Sequence, residues 1–236
     1  MADDWRYEPA ADLKVPWQKR PSSELREAGL TGGLGHWLCC QLIGAYLRAR
    51  HPLTVIGREH LPTETPFVLV ANHASHLDVL VLQSLFPEHL SGRIFALAAG
   101  DYFFDSSTKS LAAAQLVNAL PVWRGKGTRH ALAHLRERLV RGSSGFIVFP
   151  EGTRSRDGQM QPFKPGIGML VAGTEIPVVP CTLSGTFAAW PPDTRWPGPG
   201  PIQVTLREAR RFADRKNQRE EWVRIAGELE ALVAGA

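Results

Sequence analysis

Short, nearly unbroken apolar runs alternate along this chain with stretches whose apolar residues recur every three or four positions, and that alternation predicts the architecture. The runs 53–56, 67–70, 94–98, 120–123, 146–149, 177–182 and 202–206 are too short for buried helices and read as strands. Helical periodicity is expected over 76–86, 107–118, 128–141, 167–172 and 217–233. Pro87 stops the first of these, and Pro165-Gly166 opens the fourth. A loop rich in Pro, Trp and Gly, 190–201, precedes the last strand. Strands and helices in this order predict an α/β fold: a single domain with a central mixed sheet flanked by helices.

The N-terminal part follows a different pattern. Residues 1–33 carry Pro, Gly and charge and read as an arm. From Leu34 the apolar positions Leu34, Trp37, Leu38, Leu42, Ala45 and Tyr46 follow helical spacing; Arg48, Arg50 and His51 close the run, and Pro52 stops it. Such a helix either lies in a membrane interface or packs on its own core. Its apolar part, 34–47, falls short of the roughly 20 residues a spanning helix needs, and His36 and Gln41 interrupt it. The expected division is an N-terminal arm with an amphipathic, membrane-docking helical segment over 1–50, followed by a domain over 51–236.

A chain of 236 residues can bury a sizeable core in one such domain. Its net charge of +4 favours an anionic partner such as a lipid headgroup, a phosphorylated substrate or nucleic acid, and is equally that of an ordinary basic protein. No basic stripe interleaved with aromatics appears, which argues against nucleic acid. The three cysteines, Cys39, Cys40 and Cys181, form no C-x-x-C pair and suit a reducing compartment. The opening residues 1–5 are acidic and no apolar segment follows them, so no secretory signal is expected.

Two polar clusters follow two of the expected strands, where an α/β fold places its active sites. The first is Asn72-His73-Ala74-Ser75-His76-Leu77-Asp78. With His73 in the loop and Asp78 in the first helical turn, the carboxylate can take the proton on one ring nitrogen and leave the other as a base. Ser75 would then be the N-cap, and Asp78 has a second reading as part of a capping box. His73, His76 and Asp78 are also zinc-ligand types, and His130 and His134 share a helix face, so a zinc-dependent hydrolase is an alternative. Arg129, Arg136, Arg138 and Arg141 would oppose a cation near the latter pair.

The second cluster, Phe149-Pro150-Glu151-Gly152-Thr153-Arg154-Ser155, reads as an anion-handling turn. Gly152 allows close backbone approach, the Thr153 hydroxyl can donate, Arg154 can grip a phosphate, and Glu151 can hold Arg154 or accept a substrate hydroxyl. An internal Glu–Arg pair in a surface turn is the plainer alternative. Arg124, after the strand 120–123, is a further cation at a strand end.

Together these residues resemble the glycerolipid acyltransferase family typified by bacterial 1-acyl-glycerol-3-phosphate acyltransferase. The N-H-x-x-x-x-D block corresponds to Asn72, His73 and Asp78, and a short segment ending in Arg to Leu120-Pro121-Val122-Trp123-Arg124. F-P-E-G-T-R-S matches Phe149 to Ser155 letter for letter, and an apolar-Pro run corresponds to Ile176-Pro177-Val178-Val179-Pro180. The resemblance covers about residues 50–210 and makes 51–236 an acyltransferase domain. It implies transfer of a fatty acyl group from acyl-CoA or acyl carrier protein, as co-substrate and with no other cofactor or metal, to the hydroxyl of a lysolipid.

His73 and Asp78 would then be catalytic, and Arg124, Glu151, Gly152, Thr153 and Arg154 would bind the acceptor. Lysophosphatidate giving phosphatidate is the expected reaction, and a peripheral position on the cytoplasmic face of a membrane the expected location. Phosphatidate-forming members commonly carry Lys followed by Glu-Leu in a region where this chain reads Ala98-Ala99-Gly100-Asp101-Tyr102-Phe103-Phe104. This departure leaves room for a different lysolipid or a lipid alcohol as acceptor, and makes Lys109 the nearest replacement cation.

Overall fold

The computed structural model describes residues 15, 16, 23, 30–100, 106–122, 128–142 and 144–235. Among them the strands β1 (Leu53–Ile56), β2 (Phe67–Ala71), β3 (Ile94–Ala99), β4 (Ala119–Val122), β5 (Gly145–Val148), β6 (Val178–Ser184) and β7 (Ile202–Leu206) form one seven-stranded sheet, ordered β1-β7-β6-β2-β5-β3-β4. Strands β4, β3, β5, β2 and β6 run parallel, β7 is antiparallel to β6, and β1 runs parallel to β7. The sheet is mixed, as expected. Around it lie α1 (Leu30–Arg50), α2 (Leu77–Ser84), α3 (Glu88–Ser91), α4 (Ser107–Val117), α5 (Thr128–Val140), α6 (Gly166–Val171), α7 (Thr186–Ala189) and α8 (Arg219–Ala234).

The unbroken apolar runs are explained by burial on both faces. In β2 all five residues are buried. Val68 and Val70 face one way, with Phe146 and Val148 of β5, beneath Leu135 and Leu139 of α5 and Ile225 and Leu229 of α8. Phe67, Leu69 and Ala71 face the other way, with Ile147, against Leu77, Val81 and Leu82 of α2 and Leu47 of α1. Successive strand residues point to opposite faces, so a central parallel strand covered on both sides needs apolar residues at every position. Each large side chain so buried contributes about 1.5–3 kcal/mol of transfer free energy.

The sheet order places the chemistry. Strands β2 and β5 are neighbours in parallel register, with Val70 opposite Val148, although β3 and β4 separate them in the sequence. The two polar clusters therefore leave the same sheet edge side by side.

Some boundaries differ from expectation. Helix α1 begins at Leu30, four residues before the expected start, and most of the expected arm lies outside the described residues. The segment 76–86 is helical only from Leu77 to Ser84; Leu85 keeps helical dihedrals as the C-cap, and Pro87 disfavours helical geometry at Phe86 directly before it. Helices α3 and α7 have four residues each, too few for any periodicity to reveal them.

Helix α1 packs on the core along one side and keeps apolar side chains exposed on the other. Leu47 is buried, and Ile43 and Tyr46 pack against the core cluster beneath α2. His36, an interruption in the apolar pattern, is buried with Nδ1 2.7 Å from the carbonyl oxygen of Gln115 in α4. Trp37, Leu38 and Leu42 point outward, Leu42 with 63% of its surface exposed. Among the described residues no helix is long and apolar enough to cross a membrane.

Candidate active site

The loop 72–76 leaves β2 along a path set by side chains rather than by regular structure. The Asn72 carboxamide continues the sheet beyond its last strand residue: Nδ2 donates to the Leu183 carbonyl at 3.0 Å, and Oδ1 accepts the Leu183 amide at 2.7 Å. Next in the chain, His73 turns its ring onto Phe149, with centroids 4.1 Å apart and planes 18° from parallel. Its Nδ1 lies 2.9 Å from Asp78 Oδ2.

Asp78 is fully buried, and the same Oδ2 also accepts the amides of Ala74 at 2.7 Å and Ser75 at 2.8 Å. Both sequence readings of this carboxylate thus hold, since it folds the loop and orients the imidazole. A carboxylate can only accept, so Nδ1 carries the ring proton and Nε2 keeps the lone pair of a base. The cap sits one residue later than expected. His76 is the N-cap residue of α2, while Ser75 Oγ accepts the Leu77 amide at 3.1 Å and donates to the Trp190 carbonyl at 2.8 Å.

Glu151 is placed differently from the expectation that its side chain meets the acceptor or holds Arg154. It is 2% exposed, and its two oxygens accept the backbone amides of His73 at 2.5 Å and Gln161 at 2.8 Å. The Ser155 amide adds a bond to the His73 carbonyl at 2.8 Å. The second cluster therefore clamps the first from both sides. Burial raises the carboxyl pKa of Glu151, and the two amides act against that rise.

Beyond Glu151 the chain turns outward. Gly152 adopts φ 70, the left-handed region, and a Cβ there would lie 2.6 Å from Lys164 Nζ. Gly152 and Thr153 are exposed and Arg154 is half-buried. Lys164 brings a cation to this turn that the sequence reasoning missed; its only signal was its place in Phe163-Lys164-Pro165-Gly166, shortly after the second cluster.

Arg154 Nη1 donates to His76 Nε2, and the His76 ring lies 5.2 Å from that of Trp190. Burial first, then the charges of Arg154 and His73, lower the His76 pKa to about 4 against the opposing pull of Asp78. His76 is therefore a neutral acceptor at physiological pH.

These contacts bear on the zinc alternative. The Nε2 of His76 faces a guanidinium, and the Asp78 oxygen nearest His73 is already shared with two amides. Among the described residues no group of three or more His, Cys, Asp or Glu side chains is arranged to hold a metal ion. His130 and His134 do meet on α5, with Nε2 atoms 3.1 Å apart, far along the sequence from His73 and His76. Arg124 and the part of the expected cation segment around 101–104 lie outside the described residues, as does the side chain of Lys109.

The chain is similar to known proteins in sequence and in fold. The family model described as Acyltransferase matches residues 52–184. A 1-acyl-sn-glycerol-3-phosphate acyltransferase of Cocos nucifera is 27% identical over 205 residues, covering 81% of this chain and 58% of that protein. The 1-acyl-sn-glycerol-3-phosphate acyltransferase alpha of Homo sapiens is 33% identical over 133 residues, 55% of this chain and 44% of that one. The chain thus spans about half the length of these curated relatives. The crystal structure of the 1-acyl-sn-glycerophosphate acyltransferase from Thermotoga maritima superposes with a TM-score of 0.64 at 25% identity, covering 84% of this chain and 75% of that one. The matched residues span both polar clusters and the strands that carry them, and the chain belongs to the acyltransferase family, as the glycerolipid blocks in its sequence imply.

Proposed function

We propose that this protein is an O-acyltransferase that moves a fatty acyl group from acyl-CoA or acyl carrier protein to the free hydroxyl of a lysoglycerolipid, with 1-acylglycerol-3-phosphate as acceptor and phosphatidate as product. The observation that carries this reading is the 2.9 Å contact between His73 Nδ1 and the buried Asp78, directly beside the turn that bears Arg154. The names of the relatives favour a lysophosphatidate acceptor.

In this reading His73 Nε2 removes the proton from the acceptor hydroxyl as its oxygen attacks the thioester carbonyl. Asp78 holds the tautomer and stabilises the imidazolium that forms. The tetrahedral intermediate collapses by breaking the C–S bond, and the imidazolium returns its proton to the departing thiolate. No acyl-enzyme is required. Arg154 pairs with the acceptor phosphate, assisted by Lys164 and the exposed Gly152-Thr153 turn; Arg124, outside the described residues, is the further acceptor-binding cation that the family resemblance implies.

Because acceptor and product reside in a bilayer, the enzyme works as a peripheral protein. Trp37, Leu38 and Leu42 of α1, and Trp196 with 74% of its surface exposed, form the docking candidates. The cytoplasmic face is the side that matches its unpaired cysteines.

The test is thiol release from palmitoyl-CoA with a panel of lysolipids, wild type against His73→Ala and Arg154→Ala. The expected result is no turnover for His73→Ala with unchanged circular dichroism. Arg154→Ala should raise the KM for lysophosphatidate while sparing uncharged monoacylglycerol. Near-normal turnover by His73→Ala would remove the mechanism. A wild type that prefers an uncharged acceptor would move the substrate to a lipid alcohol, a reading for which the missing Lys followed by Glu-Leu leaves room.

A further inference from the structure

His76 belongs to the first polar cluster and faces Arg154 of the second, yet the reaction above gives it no task. Its Nε2 receives the Arg154 guanidinium. Its ring is backed by Trp190 at 5.2 Å, and Trp190 is tied to the same loop through the bond from Ser75 Oγ to its carbonyl. His76 is also the N-cap residue of α2, so its backbone is fixed by the helix start. These contacts leave the imidazole little freedom to leave Arg154.

We propose that His76 is the positioning residue for Arg154: it accepts one guanidinium N–H and so aims the remaining donors at the phosphate of the acceptor lipid. The proposal rests on the reading of Arg154 as the phosphate-binding cation. A guanidinium carries five N–H donors in a planar fork, and a contact at Nη1 leaves the others available for a bidentate pair. Arginine side chains are long and lose much rotamer freedom on ordering. A fixed neutral acceptor at one end of the fork pre-orders the group without neutralising its charge, which a carboxylate in the same place would do. The groups that face His76 are Arg154, His73 and Asp78, with the uncharged ring of Trp190 on the remaining side. The pKa of about 4 agrees with an imidazole that keeps its lone pair for the arginine.

Two substitutions separate the hydrogen bond from the packing. His76→Phe keeps a ring against Trp190 and removes the acceptor; His76→Gln restores an acceptor oxygen. With lysophosphatidate as acceptor, His76→Phe is expected to raise KM about tenfold with kcat within about twofold, and His76→Gln to recover most of that loss. The double variant His76→Phe/Arg154→Ala should be no worse than Arg154→Ala alone, the non-additivity expected of two residues acting through one contact.

A readout independent of turnover is the NMR titration of His76. In Arg154→Ala its midpoint should rise from about 4 toward the ordinary 6.5. An unmoved midpoint, or additive effects in the double variant, would overturn the positioning role. If the wild type fails to acylate lysophosphatidate while the midpoint still moves, the acceptor assignment has failed and the His76–Arg154 contact stands.

Discussion

The buried carboxylate of Glu151 accepts the backbone amide of His73 at 2.5 Å, so a residue of one polar block holds the main chain of the catalytic candidate in the other. Its second oxygen takes the Gln161 amide, and the side chain therefore spans three segments. Removing it leaves two amides without their acceptor, at about 1–3 kcal/mol for each that water cannot reach. Glu151→Ala is expected to lower the urea unfolding free energy by roughly 2–6 kcal/mol and to depress kcat as His73 drifts. Full stability with reduced activity would instead return Glu151 to the substrate.

Asp78 divides its Oδ2 between His73 and two backbone amides. In Asp78→Asn an oxygen can still accept those amides, so the loop keeps its path. The side chain no longer enforces the base tautomer of His73 or stabilises an imidazolium. Turnover should fall on the order of a thousandfold or more, with a far smaller change in thermal midpoint. A rate within tenfold of wild type would show that the imidazole needs no carboxylate.

The pH dependence of stability carries a signature of His76. The unfolded imidazole protonates near 6.5 and the folded one at about 4. Between those values the unfolded chain binds more protons. The contribution of His76 is therefore intact above 6.5, declines as pH falls through this window, and levels off below about 4. Glu151 acts in the opposite sense: its raised carboxyl pKa favours the folded state as pH falls through that value. The difference between wild type and His76→Gln isolates the histidine. Urea midpoints should fall more steeply for the wild type from pH 6.5 to 4, and parallel curves would show that His76 titrates normally.

The exposed side chains of α1 make the proposed membrane attachment measurable. Leu38→Asp with Leu42→Asp removes apolar surface from outward positions and leaves Leu47, the anchor of α1 in the core, untouched. Flotation with anionic vesicles should lose most of the bound wild-type fraction in this variant, while activity on a detergent-dispersed acceptor persists. Undiminished flotation would assign docking to another surface, with Trp196 the first to test.

Much of the site is legible in the sequence because its central contact is local. His73 and Asp78 are five residues apart, and a strand-loop-helix transition is enough to fold one onto the other. The strands themselves stand out because central parallel strands need apolar residues on both faces, as in β2. The adjacency of β2 and β5 is a property of sheet order, which local periodicity does not encode. For the same reason the role of Glu151 is hidden: its bond to His73 joins residues 78 apart in the chain. His76 reads as a metal ligand by residue type, and only the approach of Arg154 from the other block shows what its lone pair faces.

A single carboxamide, that of Asn72, mimics a peptide unit against Leu183, giving and receiving one hydrogen bond as a strand residue does. The His73 imidazole is therefore anchored one residue beyond a side-chain imitation of sheet. Rigidity reaches it without a further strand having to occupy the crevice. In the proposed reaction, loops that meet the acceptor can then diversify around an immobile proton acceptor, and altered headgroup preference need not disturb the machinery beneath.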